Sequence, residues 1–203
     1  MTLLLRPLSP ADEPVARQVH AELAGDDFEL LLDLRDGEPW ADYLARLESL
    51  RWGQDVPVDR VPAAFLVAEV NGELVGRVSV RYELNAYLAR IGGHIGYGIR
   101  PGARRRGYAT EVLRQALELL RVCGVDRALV TCDDANVGSA TVIERCGGVL
   151  TDRPEVDGVL RRHYWVELAP GPTSSPTGTA TSRTLPSGAS GQAQRGSCAQ
   201  LGA

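Results

Sequence analysis

The 203-residue chain contains no lysine; all 22 of its basic residues are arginine. A Walker-type phosphate loop uses a lysine to reach the terminal phosphates, and Schiff-base chemistry needs a lysine amine, so both are excluded. A GC-rich coding bias accounts for this composition without a functional cause. Long apolar runs are also missing. Leu3-Leu4-Leu5 is broken by Arg6 and Pro7, far short of the roughly 18 residues a membrane span requires. We therefore expect neither a secretory signal nor a transmembrane helix, and a cytoplasmic chain with no membrane partner. Cys123, Cys132, Cys146 and Cys198 form no C-x-x-C, and His20, His94 and His163 are scattered. No zinc spacing results, so we expect reduced thiols and no metal.

With 44% hydrophobic and 24% charged residues, what remains is a soluble globular chain of one core. From Ala169 onward the composition shifts to Ala, Gly, Pro, Ser and Thr. Such a segment buries too little apolar surface to offset its ordering entropy. We therefore expect a folded domain over 1–168 and a disordered tail over 169–203. The tail's only charges are Arg183 and Arg195, so the formal charge of −4 becomes −6 for residues 1–168, which disfavours nucleic acid as a partner.

Along the body, Thr2 to Arg6 predicts a strand and Pro10 to Leu23 a helix capped by Ser9. Asp26, Asp27, Glu29, Asp33, Asp36, Glu38 and Asp42 then face only Arg35. This excess is either a solvated face or, if it lines a cleft, an attraction for a cation. A helix follows over Trp40 to Leu50. Ala63 to Val70 and Glu73 to Tyr82 are β-rich runs joined by Asn71-Gly72, a strong hairpin signal. His94 to Ile99 predicts a strand, and Tyr108 to Val122 a helix with Ala109, Val112, Leu113, Ala116, Leu117 and Leu120 on one face. Arg127 to Cys132 reads as a strand, Ser139 to Cys146 as a short helix stopped by Gly147-Gly148, and Leu160 to Leu168 as a last strand. The order β-α-α-β-β-β-α-β-α-β gives a mixed sheet with helices, of α/β or α+β class.

Arg104-Arg105-Arg106-Gly107-Tyr108-Ala109 lies where a strand feeds a helix. Its backbone N–H groups are the unpaired donors of a helix N-terminus, Gly107 permits close approach, and the arginines add charge-assisted bonds. The layout suits a diphosphate. It is also compatible with three solvated arginines on a surface turn.

The run from Ile95 to Gly148 resembles the GNAT family of acyl-CoA-dependent N-acyltransferases. Arg104-x-x-Gly107-x-Ala109 is similar to the family's pyrophosphate loop, preceded by Ile99-Arg100-Pro101. Asn136-x-x-Ser139 is similar to its Asn-x-x-(Ala/Ser) beside the pantetheine arm. The short helix ends at a Gly pair, with Gly148 where the family commonly has an aromatic. Together with Gly92-Gly93-His94-Ile95-Gly96-Tyr97 and Thr131-Cys132-Asp133, these residues resemble a bacterial subgroup of unassigned acceptor.

The resemblance implies a mostly antiparallel sheet flanked by helices, with acyl-CoA held between two splayed strands, Ile95 to Ile99 and Leu129 to Cys132. It implies acetyl-CoA as cosubstrate. Backbone groups of Tyr97 and Ile99 would meet the pantetheine amides. Arg104, Arg105, Arg106, Gly107, Tyr108, Ala109 and Thr110 would take the pyrophosphate, with Asn136 and Ser139 beside the arm. The reaction it implies is direct attack of a neutral amine on the thioester.

The family's usual base, a Glu at or next to position 93, is missing, which leaves His94 and Glu83 as candidates. Its usual acid, a Tyr seven residues after the motif Asn, is Ile143 here; Cys146, Tyr97 and Tyr164 are substitutes. We expect an N-acetyltransferase of a small-molecule or protein amine, cationic if the acidic segment borders the acceptor, and open to homodimer formation through sheet edges. The alternative is a weakly catalytic or noncatalytic acyl-CoA-binding sensor.

Overall fold

The computed structural model describes residues 2–26 and 28–168, and the expected tail lies outside them. Among the described residues eight strands are formed: β1 (Leu3–Arg6), β2 (Ala63–Val70), β3 (Glu73–Arg81), β4 (Ile95–Ile99), β5 (Arg127–Asp133), β6 (Val149–Asp152), β7 (Glu155–Val156) and β8 (Val159–Glu167). Four α-helices accompany them: α1 (Glu13–Ala24), α2 (Trp40–Arg51), α3 (Tyr108–Val122) and α4 (Val137–Arg145). The strand order is β1-β2-β3-β4-β5-β8-β6, with β7 paired to β8. Every pairing is antiparallel except β4 with β5.

The period-2 pattern of β2 explains the layers. Ala64, Leu66 and Ala68 face α3 and α4, with Val112, Leu113, Ala116, Leu120, Ala140 and Ile143. Phe65 and Val67 face the other way, onto Ala16, Val19 and Leu23 of α1 and Trp40 and Tyr43 of α2. The sheet is thus covered on both faces. Asn71 and Gly72 adopt φ of 52° and 83°, the two left-handed positions a tight hairpin turn requires.

The first helix starts differently from the expected single element. Pro10–Asp12 is a 3₁₀ turn before α1, and the Ser9 N–H and hydroxyl both donate to the Asp12 carboxylate at 2.6 and 2.7 Å. Sequence reading also misses β6 and β7. All four residues of β6 are exposed, so no buried face imposes the alternation that marks a strand. The expectation of four reduced cysteines is corrected in part. Cys132 and Cys146 are free, whereas Cys123 is disulfide-bonded, a link that no spacing of the cysteines announces. Cys198 lies outside the described residues. Among the described residues no helix is long and apolar enough to cross a membrane.

Candidate functional site

β4 and β5 share one registered pair, Ile95 with Val130. Just before it the strands are clamped: the His94 N–H donates to the Leu129 carbonyl at 2.7 Å, and the Leu129 N–H donates to His94 Nδ1 at 2.9 Å. Beyond Ile95 they part. Along the other edge of β4, the Arg81 N–H donates to the His94 carbonyl and the Arg100 N–H to the Val75 carbonyl. Strand alternation then turns the N–H groups of Gly96 and Gly98 toward β3, and those of Tyr97 and Ile99 toward the gap that β5 has left. The splayed pair and its two inward-facing residues are therefore present.

Gly107 caps α3 with φ +82°, in the left-handed region. A Cβ there would meet nothing within 4 Å, so its backbone faces open space. Arg105 is also left-handed, φ 61°. The first helical hydrogen bond runs from the Glu111 N–H to the Gly107 carbonyl. It leaves the N–H groups of Tyr108, Ala109 and Thr110 as orphan donors of a 15-residue helix, a site suited to an anion. Arg104 points away from that space, its Nε donating to the Ile99 carbonyl at 3.0 Å and its Nη2 to Asp26. Arg105 and Arg106 are exposed.

Asn136 caps α4, its Oδ1 accepting the Ser139 N–H at 2.9 Å. The Ser139 hydroxyl lies 3.0 Å from the Tyr97 hydroxyl, so β4 and α4 meet through polar groups. Burial holds the Tyr97 phenol up at about 12, hence protonated at neutral pH. Ile143 is wholly buried in the core, and Tyr164 is engaged with Glu144 at 2.9 Å. Cys146 is also turned to its own fold, with Sγ 3.7 Å from the Thr110 carbonyl.

His94 is 7% exposed. A backbone N–H can only donate, so Nδ1 must be the acceptor and the neutral ring carries its proton on Nε2. Burial lowers its pKa to about 4. The nitrogen with a free pair in this tautomer is the one spent on Leu129, which makes His94 a strand clamp by geometry. Glu83 is exposed, just past β3. A side chain at position 93 has no room: Gly93 has φ +60°, and a Cβ would lie 2.5 Å from the Leu129 carbonyl oxygen. The family's glutamate could not occupy this backbone.

On the α1 and α2 face a cavity of about 510 Å³ is lined by Phe65, Ser79 and Arg81 of the sheet, and by Asp33, Arg46, Asp59 and Arg60 among others. The acidic segment is less negative in space than in sequence. Asp26 pairs with Arg104, Asp33 with Arg60, and Glu38 with Arg46; Asp27 lies outside the described residues. Three of the seven acids that suggested a cationic acceptor are therefore met by arginines from outside the segment. Sequence reading missed the arginines of this cavity because they arrive from separate elements. Among the described residues no group of three or more His, Cys, Asp and Glu could hold a metal ion.

The acetyltransferase (GNAT) domain family matches residues 2–149. No curated protein matches significantly. Solved structures share the architecture. A ribosomal L7/L12 alpha-N-protein acetyltransferase, RimL, in complex with coenzyme A superposes with a TM-score of 0.59 at 16% identity, over 83% of this chain and 95% of that one. The yncA protein from Salmonella typhimurium, with acetyl-CoA, gives 0.57 at 15% identity over 87% and 98%. Spermidine N-acetyltransferase from Vibrio cholerae, in complex with CoA and spermine, gives 0.55 at 16% identity over 82% and 96%. At these identities the likeness carries the fold, and the family match over most of the chain carries the membership. The sequence motifs, the parted β4–β5 pair and the family match lead to one conclusion: this chain belongs to the GNAT family of acetyltransferases.

Proposed function

We propose that the protein transfers an acetyl group from acetyl-CoA to the nitrogen of a small amine by direct attack. The observation that carries this is the single β4–β5 pair, which opens a gap between a free helix N-terminus and a cavity of small-molecule size.

Acetyl-CoA, when bound, supplies an acetyl carbon activated as a thioester. The residues present fit it. The orphan N–H groups of Tyr108, Ala109 and Thr110, with Arg105 and Arg106, hold the pyrophosphate. The N–H groups of Tyr97 and Ile99 bond the arm along the gap, and one of them is placed to polarise the acyl oxygen. Asn136 orients the start of α4 beside the arm. Tyr97, protonated at neutral pH and held by Ser139, donates a proton to the departing sulfur. The amine must lose its own proton before attack. With the His94 lone pair occupied, Glu83 is the remaining base from the sequence reading, and its exposed carboxylate accepts that proton through water.

The test combines binding and turnover. Acetyl-CoA at about a hundred times its Kd should stabilise the wild type by roughly 2.7 kcal/mol, and Gly107→Glu should abolish that rise by placing a carboxylate in the anion site. Tyr97→Phe should lower kcat at least tenfold, with acetyl-CoA binding retained. Absence of amine-dependent CoA release from the wild type would reject transfer and leave only a binding role.

A further inference from the structure

We propose that the cavity on the α1 and α2 face recognises a carboxylate, so that the acceptor is a small amine that also carries a carboxyl group, of the α-amino acid type. This rests on the transferase reading for the amine, and on separate observations for the carboxylate.

Arg77 and Arg81 project from β3 onto one face, as their spacing of four along a strand dictates. Arg77 is 4% exposed and lies between the rings of Phe28 and Phe65, 4.6 Å from each centroid. Its guanidinium donates to the Ser79 hydroxyl and to the Glu29 carbonyl; Nε has no partner. No carboxylate among the described residues pairs with it. Arg81 lines the cavity and likewise has no carboxylate partner among those residues. Its Nη1 donates to the carbonyls of Gly92 and Gly93 at 3.1 and 3.3 Å. That leaves the Nη2 and Nε edge without a hydrogen bond, in the geometry that grips a carboxylate by two parallel bonds.

The charges are arranged at a cost that an anion would relieve. Arg81 repels Arg77, and Arg60 repels Arg81. Burial brings Arg77 down to about 9, and the Arg81 charge adds to that more than Glu29 or Asp33 offset it; it remains a cation at neutral pH, and desolvated like charges with no directly paired carboxylate are unfavourable. Of the three, Arg60 has an acid of its own, Asp33. Ser79 lines the cavity and accepts from Arg77, so its own hydroxyl proton is available to a second acceptor in the same place.

The position fits the reaction. A Cβ on Gly96 would lie 3.4 and 3.5 Å from the Arg81 Nη atoms, so the guanidinium rests on β4 one residue past the Ile95–Val130 pair, where the gap opens. A carboxylate held there leaves an amine a few bonds away to reach the gap. The volume of about 510 Å³ suits a small molecule rather than a protein segment.

The test is calorimetric titration of the full-length, CoA-saturated protein with the standard α-amino acids, each beside its own α-carboxamide, and with spermidine. At least one amino acid should bind ten or more times tighter than its carboxamide, and Arg81→Gln should reduce that ratio below threefold while keeping stabilisation by acetyl-CoA. Failure of every amino acid to bind, equal or tighter binding of the carboxamides or spermidine, or an unchanged ratio in Arg81→Gln would each overturn the assignment. If the variant does not fold, the comparison in the wild type decides alone. CoA release is measured in parallel: turnover of amines lacking a carboxylate would keep the transfer reading and reject this one, whereas selective binding without turnover would do the reverse.

Discussion

His94 clamps β4 to β5, and Gly107 opens the N-terminus of α3. His94 accepts a backbone proton while buried, so charging it in the folded state is unfavourable and its pKa falls from 6.5 to about 4. The unfolded chain therefore binds a proton that the folded one refuses. The resulting stability is complete above about pH 6.5 and is lost as pH falls toward 4, in total on the order of 3 kcal/mol. Replacing His94 by Gln, which keeps an acceptor but does not titrate, should flatten the denaturation midpoint between pH 6.5 and 4. Asp12 acts in a lower window. The Arg6 guanidinium holds its carboxyl down at about 2, so its share persists above about pH 3.8 and disappears only toward pH 2. Equilibrium unfolding across pH separates the two. At Gly107 the constraint is φ +82°, which no β-branched residue adopts without strain. Gly107→Val should weaken acetyl-CoA binding at least tenfold, with a stability cost of about 1–2 kcal/mol, read by thermal unfolding with and without the cosubstrate.

At the scale of elements, β4 is built from alternate glycines for two different reasons. A Cβ on Gly98 would lie 2.5–2.7 Å from the Phe28 ring, and that ring covers the Arg77 guanidinium. Gly98→Ala should push Phe28 away and cost about 1–3 kcal/mol, seen as a lower urea midpoint. Gly96 instead leaves room for Arg81. The glycine spacing was legible in Gly96-Tyr97-Gly98, but its cause was not, because Phe28 and Arg81 come from outside the strand. The sequence marks α3 with its bounds, since a 15-residue amphipathic pattern lies between Gly107 and Gly124. The edge strand β6 carries no such mark, since exposed residues bear no periodic imprint.

For the molecule as a whole, net charge and local charge act in opposite senses. The chain is acidic, at −4, yet Arg105 and Arg106 stand exposed beside the α3 N-terminus. Association with an anionic cosubstrate thus depends on a local field within a repulsive one. Raising sodium chloride from 50 to 500 mM, which shortens the Debye length from about 14 to about 4 Å, should raise the acetyl-CoA Kd several-fold. The melting temperature of the free protein should change little, because ion pairs such as Arg17–Glu13 and Arg114–Glu111 are local, exposed and individually weak.

The sequence by itself determined what depends on neighbours along the chain. The hydrophobic periods of β2, β3 and α3, the Asn71-Gly72 hairpin, the helix stops and the Arg104-x-x-Gly107-x-Ala109 spacing are all local, and they carry the fold class and the family. The tertiary structure decided what depends on residues far apart in sequence. It brought His94 to Leu129, which removes its lone pair from chemistry. It paired Asp26 with Arg104 and Asp33 with Arg60, which offsets part of the charge of an acidic stretch. It also set Arg46, Arg60 and Arg81 on one cavity with Asp33 and Asp59, and left Arg81 without a carboxylate partner among the described residues. Charge in a linear sequence is only a count; which charges meet is settled when strands and helices from distant segments are packed together.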